Sequence, residues 1–251
     1  MYNNIVKNIK SIIFLLNMFF IFGSEIMLYR LSGNYSKFID RLTTRLASIN
    51  ILYVKIFQAF ASNNSLIDNS TNNKLLKFTD NAPWDFSDID LNQLVEMANK
   101  YNIQLRHGYE IPINSGMISL VFIGYENKYS NKQVIIKMKR KNIQKKLDDA
   151  INNLLFSMYI LSFIPIINKY QLAEVVNKNV EIIRHQTDFL EEIDNMDKIR
   201  ENCKYLKYVK IPTANKKVTE EYPNIILMEH IEGIKIYGLS DFHRKSFKCK
   251  N

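Results

Sequence analysis

Between Gly116 and Arg140 the spacing of apolar residues changes, and that change constrains the fold more than any other feature of the chain. Upstream, in "YSKFIDRLTTRLASINILYVKIFQAF", apolar positions recur at three and four residues, which is helical spacing. In "GMISLVFIGYENKYSNKQVIIKMKR" two β-branched runs flank a polar "ENKYSNKQ", the pattern of strand, turn and strand. Alternation puts Val134, Ile136 and Met138 on one face of the second strand, and Ile135, Lys137 and Lys139 on the other. Lys137 is therefore a cation carried by a rigid strand. Taken alone, "VIIKMKRKNI" fits either a phosphate-binding lysine or the first of several solvated lysines.

The rest of the chain returns to helical spacing. Residues 1–60 read as helical, and the Asn/Ser-rich "ASNNSLIDNSTNN" after them reads as a linker. "NKLLKFTDNAPW" is a short helical turn ended before Pro83. Asp88 to Asn102 is an amphipathic helix with an acidic first turn. Asn142 to Leu161 and Gln171 to Lys204 are two long helical tracts, the first limited by Pro165. "VKIPTANKKVTEEYPNIILMEHIEGIKI" is strand-like, with a loop between Pro212 and Pro223. The expected class is α+β: a small antiparallel sheet with helices, after a helical N-terminal extension. The expected divisions are 1–60 (extension), 61–102 (linker and helices), 103–240 (the sheet-bearing lobe) and 241–251 (a basic tail).

A chain of 251 residues with 47% hydrophobic and 24% charged residues can bury a sizeable core, which excludes wholesale disorder. Its net charge of +9 favours anionic partners, although dispersed solubilising lysines give the same balance. No RNP-type motif, zinc-finger spacing or basic zipper region occurs, so sequence-specific nucleic-acid binding is not expected. Cys203 and Cys249 lie far apart with no CxxC or histidine cluster, so neither a metal site nor a disulfide framework is expected, and the compartment is taken as reducing and intracellular. Near the N-terminus the apolar core Ile12–Phe22 is interrupted by Asn17 and closed by Gly23, Ser24 and Glu25. It is shorter than the roughly 20 residues a span requires. A buried or membrane-surface helix is the favoured reading, and a membrane span is the alternative.

Several ordered segments resemble the UbiB family, the AarF-domain atypical kinases linked to coenzyme Q biosynthesis, from about Leu46 to Ile236. "VKIFQAFASNNSLI" resembles the family's Lys-x-Gly-Gln helix through Lys55 and Gln58, with Phe57 in place of the glycine. A phenyl ring there would push the helix away from the nucleotide pocket or fill it. "LLKFTDNAP" matches an architectural turn through Asp80 and Pro83. "PINSGMISLV" resembles the Ala-rich loop and strand, with Gly116 able to let backbone N–H groups approach a phosphate, and with Met117 and Leu120 replacing the loop's Ser and Gln. "VIIKMKRKNI" resembles Val-Ala-Val-Lys-Val-Gln-Arg-Pro-Gly-Ile, which makes Lys137 the phosphate-pairing lysine. Ile135 stands where a small alanine would lie over adenine. "RHQTDFLEEIDNM" resembles Glu-x-Asp-Phe-x-x-Glu-Ala-x-Asn, with Glu192 as the partner of Lys137. Asp188 and Glu192 would share one helix face, and Gln186 replaces the glutamate that would pair with Lys55. "ILMEHIEG" resembles a kinase hinge, with Met228 as gatekeeper and the backbones of Glu229 and Ile231 toward adenine.

Phosphoryl transfer in this fold needs a catalytic Asp, a metal-binding Asn and the Asp of Asp-Phe-Gly, all from a C-terminal lobe. The sequence stops 18 residues after Gly233, and "SDFHRK" lacks the glycine of that motif. The resemblance thus implies a kinase-like N-terminal lobe that is degenerate or truncated and inactive in transfer on its own, with weak nucleotide binding or a scaffold role as what it would retain. No catalytic or metal-ligating residue is assigned. ATP and magnesium are expected only where a C-terminal lobe is supplied. The alternatives are the N-terminal half of a split kinase or ATPase completed by a second chain, or a basic module binding an anionic membrane surface.

Overall fold

The computed structural model describes residues 2–61, 71, 74–75, 82–106, 108, 110–126, 132–163, 180 and 183–233. The Asn/Ser linker, the Asp80 turn, the start of the second helical tract and the basic tail therefore lie outside, or largely outside, the described residues. The expected α+β class is found. Five strands form one antiparallel sheet in the order β1 (Ile103–Leu105), β3 (Ser119–Glu126), β4 (Gln133–Lys139), β5 (Ile225–Glu229), with β2 (Asn114–Ser115) paired to β3.

Period-two patterning decides how the sheet is covered. On one face Leu120, Phe122, Val134, Ile136, Met138, Ile225 and Leu227 are buried against Leu94 and Met97 of helix α4 (Leu91–Lys100) and against Val218 and Tyr222. Each such side chain contributes about 1.5–3 kcal/mol by leaving water. The opposite face carries Lys137, whose Cα lies across from Val121 and Ile226. There Phe189, Ile193 and Ile226 form a small third cluster with helix α6 (Phe189–Asn202). A one-residue slip of β4 would turn Lys137 into the main core, so the register is strongly specified.

The N-terminal helices build a separate core. α1 (Tyr2–Ser32), α2 (Tyr35–Ile49), α3 (Leu52–Ala61) and α5 (Ile143–Leu161) bury Phe14, Met18, Leu46, Val54, Leu147 and Ile151 together. The apolar segment does not end at Gly23–Glu25, as its sequence suggested. α1 runs on to Ser32 because Glu25 turns inward, with 1% of its surface exposed, and accepts from Arg41 Nε and Arg45 Nη1 of α2, each at 2.8 Å. Burial raises the Glu25 pKa, but these two guanidinium partners outweigh that and hold it below the usual carboxylate range.

Three local expectations are corrected. The acidic residues before α4 are not in its first turn: Asp90 caps the helix, and Asp88 ends a 3-10 turn (Phe86–Asp88). The tract to Lys204 is not one helix: it breaks at Gln186–Thr187, and Asp188 starts α6 by accepting from Leu190 N and Glu191 N. The segment between Pro212 and Pro223 contains a helix, α7 (Lys216–Glu221), whose Thr219 hydroxyl is buried and donates to Ile225 O.

Candidate functional site

A cavity of about 810 Å³ opens between β4, α6, the loop before β3 and helix α3. Lys137 is in its wall because strand alternation faces it away from the main core. Glu192 is there because Asp188 sets the start of α6 and Glu192 lies four residues on. Lys137 Nζ donates to Glu192 Oε1 at 2.5 Å and Oε2 at 2.7 Å, both side chains being about a quarter to a third exposed (23% and 32%). Phe189 supports the pair from below: its ring centroid is 5.3 Å from Lys137 Nζ and 4.8 Å from Lys139 Nζ, a double cation–π contact. Burial pushes the Lys139 ammonium below the usual lysine range, and Asp188 and Glu192 oppose that shift.

Other residues singled out from the sequence converge here. Lys55, Gly116, Gln186 and Asp188 line the same cavity as Lys137 and Glu192. Glu229 and Ile231 do not; they lie at and beyond the end of β5, where Glu229 N already donates to Thr213 O at 2.9 Å. Gln58 lies in α3, but its side chain is outside what is described.

Several expectations about these residues change. Phe57 does not line the cavity. Two residues from Lys55 is roughly half a helical turn, so the ring faces the other way, into the helical core, stacked on Tyr53 at 6.1 Å. The N–H of Gly116 itself is taken, donating to Ser119 O at 2.8 Å. A Cβ on Gly116 would meet nothing closer than Ser119 O at 3.5 Å, so sterics do not demand glycine. Asp188 does not share a free helix face with Glu192, because its carboxylate is spent on the cap. Met117 and Leu120 are buried, Leu120 completely.

Arg140 is the residue the sequence reading overlooked. Only 5% exposed, it donates through Nε and Nη2 to Gly116 O at 3.0 and 2.7 Å, and through Nη1 to Pro83 O at 2.7 Å and Asp88 Oδ2 at 2.8 Å. Asp88 Oδ1 also accepts from Lys146 Nζ at 2.6 Å. One buried guanidinium thus ties the cavity's loop, the segment before α4 and the end of β4 into one unit. The available signal was its place in "VIIKMKRKNI", opposite the arginine of the family motif.

Residues 77–251 match the family described as the ABC1 atypical kinase-like domain, well over half of the 251 residues. The probable serine/threonine-protein kinase abkD of Dictyostelium discoideum is 26% identical over 199 residues, 76% of this chain and 28% of that protein. The probable protein kinase UbiB of Pasteurella multocida (strain Pm70) is 29% identical over 130 residues, 50% of this chain and 24% of that protein. The chain spans about a quarter of the length of these curated relatives. Among solved structures, the Rv3197–erythromycin complex from Mycobacterium tuberculosis is 14% identical with a TM-score of 0.35, covering 58% of this chain and 37% of that one, a likeness too slight to carry an argument. With the sheet, the lysine–glutamate pair and the match over residues 77–251 together, the chain belongs to the ABC1 atypical kinase-like domain family, of the UbiB type.

Proposed function

We propose that this lobe binds the phosphates of a nucleotide through Lys137, held in place by Glu192, and does not transfer phosphate unaided. The observation that carries the reading is the bidentate Lys137–Glu192 contact in the wall of the 810 Å³ cavity. A cation fixed on a strand and oriented by a helix carboxylate is the arrangement that pairs with α- and β-phosphates. The two relatives described as probable protein kinases are consistent with it. Among the described residues no group of three or more His, Cys, Asp or Glu side chains is placed to hold a metal ion. In this reading metal-assisted transfer draws its carboxylates from a second chain that supplies a C-terminal lobe. Calorimetric titration of the purified 251-residue chain with ATP and magnesium is expected to show binding, with no phosphate release above buffer. Magnesium-dependent hydrolysis by this chain would overturn the second half of the proposal.

A membrane-surface role is a second reading, favoured by the outer face of α1. Ile12, Leu16, Phe19, Phe20, Met27 and Leu31 are exposed there, and Ile9–Ser32 is long and apolar enough to cross a membrane. The inner face packs on α2 and α5, and the Glu25 carboxylate is turned inward onto arginines, so the outer face stays apolar. Vesicles containing anionic lipid should co-sediment the intact chain, and Leu16→Ser with Phe20→Ser should cut the bound fraction several-fold. Equal binding by the variant would remove this reading.

A further inference from the structure

Among the described residues, each charged group lining the cavity has a partner except one. Glu192 is taken by Lys137. Glu191 Oε2 lies 2.8 Å from His185 Nδ1. Asp188 accepts from two backbone amides at 3.0 and 3.1 Å. Lys55, reaching in from α3, has no hydrogen bond or ion pair among the described residues. Burial, and then the charge of Lys137, press its ammonium below the usual lysine range. A half-buried cation beside another cation costs free energy until an anion arrives. Gln186, in the same cavity wall, is neutral and supplies no countercharge.

We propose that Lys55 is a second anion contact of this cavity, taking an oxyanion jointly with Lys137: the terminal phosphate of a nucleotide, or of a free polyphosphate. The inference rests on the nucleotide-phosphate reading of Lys137 and extends it. Lys137 lies on the sheet and Lys55 on the helical extension, so an anion between them would bridge the chain's two cores. The neutral residue at 186 is then the feature that leaves Lys55 available. A carboxylate there would compete with the ligand for the same ammonium.

The test compares ATP with inorganic tripolyphosphate, by calorimetry, on the full chain and on Lys55→Gln, Gln186→Glu, the double variant and Lys137→Met. Lys55→Gln is expected to weaken both ligands at least tenfold. Its melting temperature without ligand should be unchanged or higher, which a merely structural lysine would not give. Gln186→Glu should weaken binding in a manner that disappears in the Lys55→Gln background. If Lys55→Gln and Gln186→Glu leave both affinities unchanged while Lys137→Met lowers them, the inference is wrong and the Lys137 reading stands. If Lys137→Met changes nothing, that reading fails as well. Binding of ATP but not tripolyphosphate restricts the ligand to nucleotides, and the Lys55→Gln result with ATP then decides. Binding of neither at millimolar concentration overturns both.

Discussion

Asp88→Ala is expected to lower the unfolding free energy by about 3–5 kcal/mol, because it leaves the buried Arg140 guanidinium without its counter-ion. Arg140 and Asp88 expose 4% and 8% of their side chains, so water cannot replace the lost partner without opening the structure. Burial already pushes the Arg140 pKa down, with the Asp88 charge and hydrogen bond opposing it, yet a guanidinium stays protonated. It therefore has no route to neutrality. The damage would reach the cavity, since the same guanidinium holds Gly116 O and Pro83 O. Replacing both partners, Asp88→Leu with Arg140→Met, should cost less than the sum of the single changes. It should still be destabilising, because those carbonyls lose their donors. Urea unfolding followed by circular dichroism measures all three. Losses within about 1 kcal/mol of wild type for Asp88→Ala would show that the pair is not a structural anchor.

Phe189→Ala should cost about 3–5 kcal/mol and, unlike most core truncations, should also weaken nucleotide binding. The ring is 1% exposed and packs with Ile193 and Ile226, joining α6 to the sheet. It is also the first residue of the helix that carries Glu192. A cavity at that point would let α6 drift from β4 and lengthen the 2.5 and 2.7 Å contacts between Lys137 and Glu192. Phe189→Leu keeps most of the apolar volume and loses the cation–π contacts, so a smaller stability loss is expected. Comparing the two variants by unfolding and by nucleotide titration separates packing from ring electrostatics. If Phe189→Ala loses stability but keeps wild-type affinity, the position of α6 does not govern the site.

Sheet positions were the most legible in the sequence, because a half-buried strand carries its own signal. The alternation of Val134, Ile136 and Met138 with Ile135, Lys137 and Lys139 is local, and the register keeps it. The end of α1 was not legible. Gly23, Ser24 and Glu25 look like a stop until Arg41 and Arg45 fold back onto Glu25, a long-range contact that no local window contains. Asp188 shows an overlooked local signal. Asp188 followed three residues later by Glu191 is a helix-start pattern, but spacing to Glu192 suggested a shared face. Phe57 shows the limit of matching a motif position by position. Substitution of a glycine suggested a blocked pocket, whereas the helix turns that position into the core and leaves Lys55 on the cavity side.

The central claim is that Lys137 is the phosphate contact of this lobe. The direct measurement is nucleotide affinity of Lys137→Met against the intact chain, by calorimetry, with a thermal melt on each. A charged hydrogen bond to phosphate is worth about 1.5–3 kcal/mol. The variant should therefore bind at least tenfold more weakly. Its melting temperature should stay close to that of the intact chain, because Glu192 is exposed enough for water to replace Lys137. An unchanged affinity in a variant that melts normally would contradict the claim.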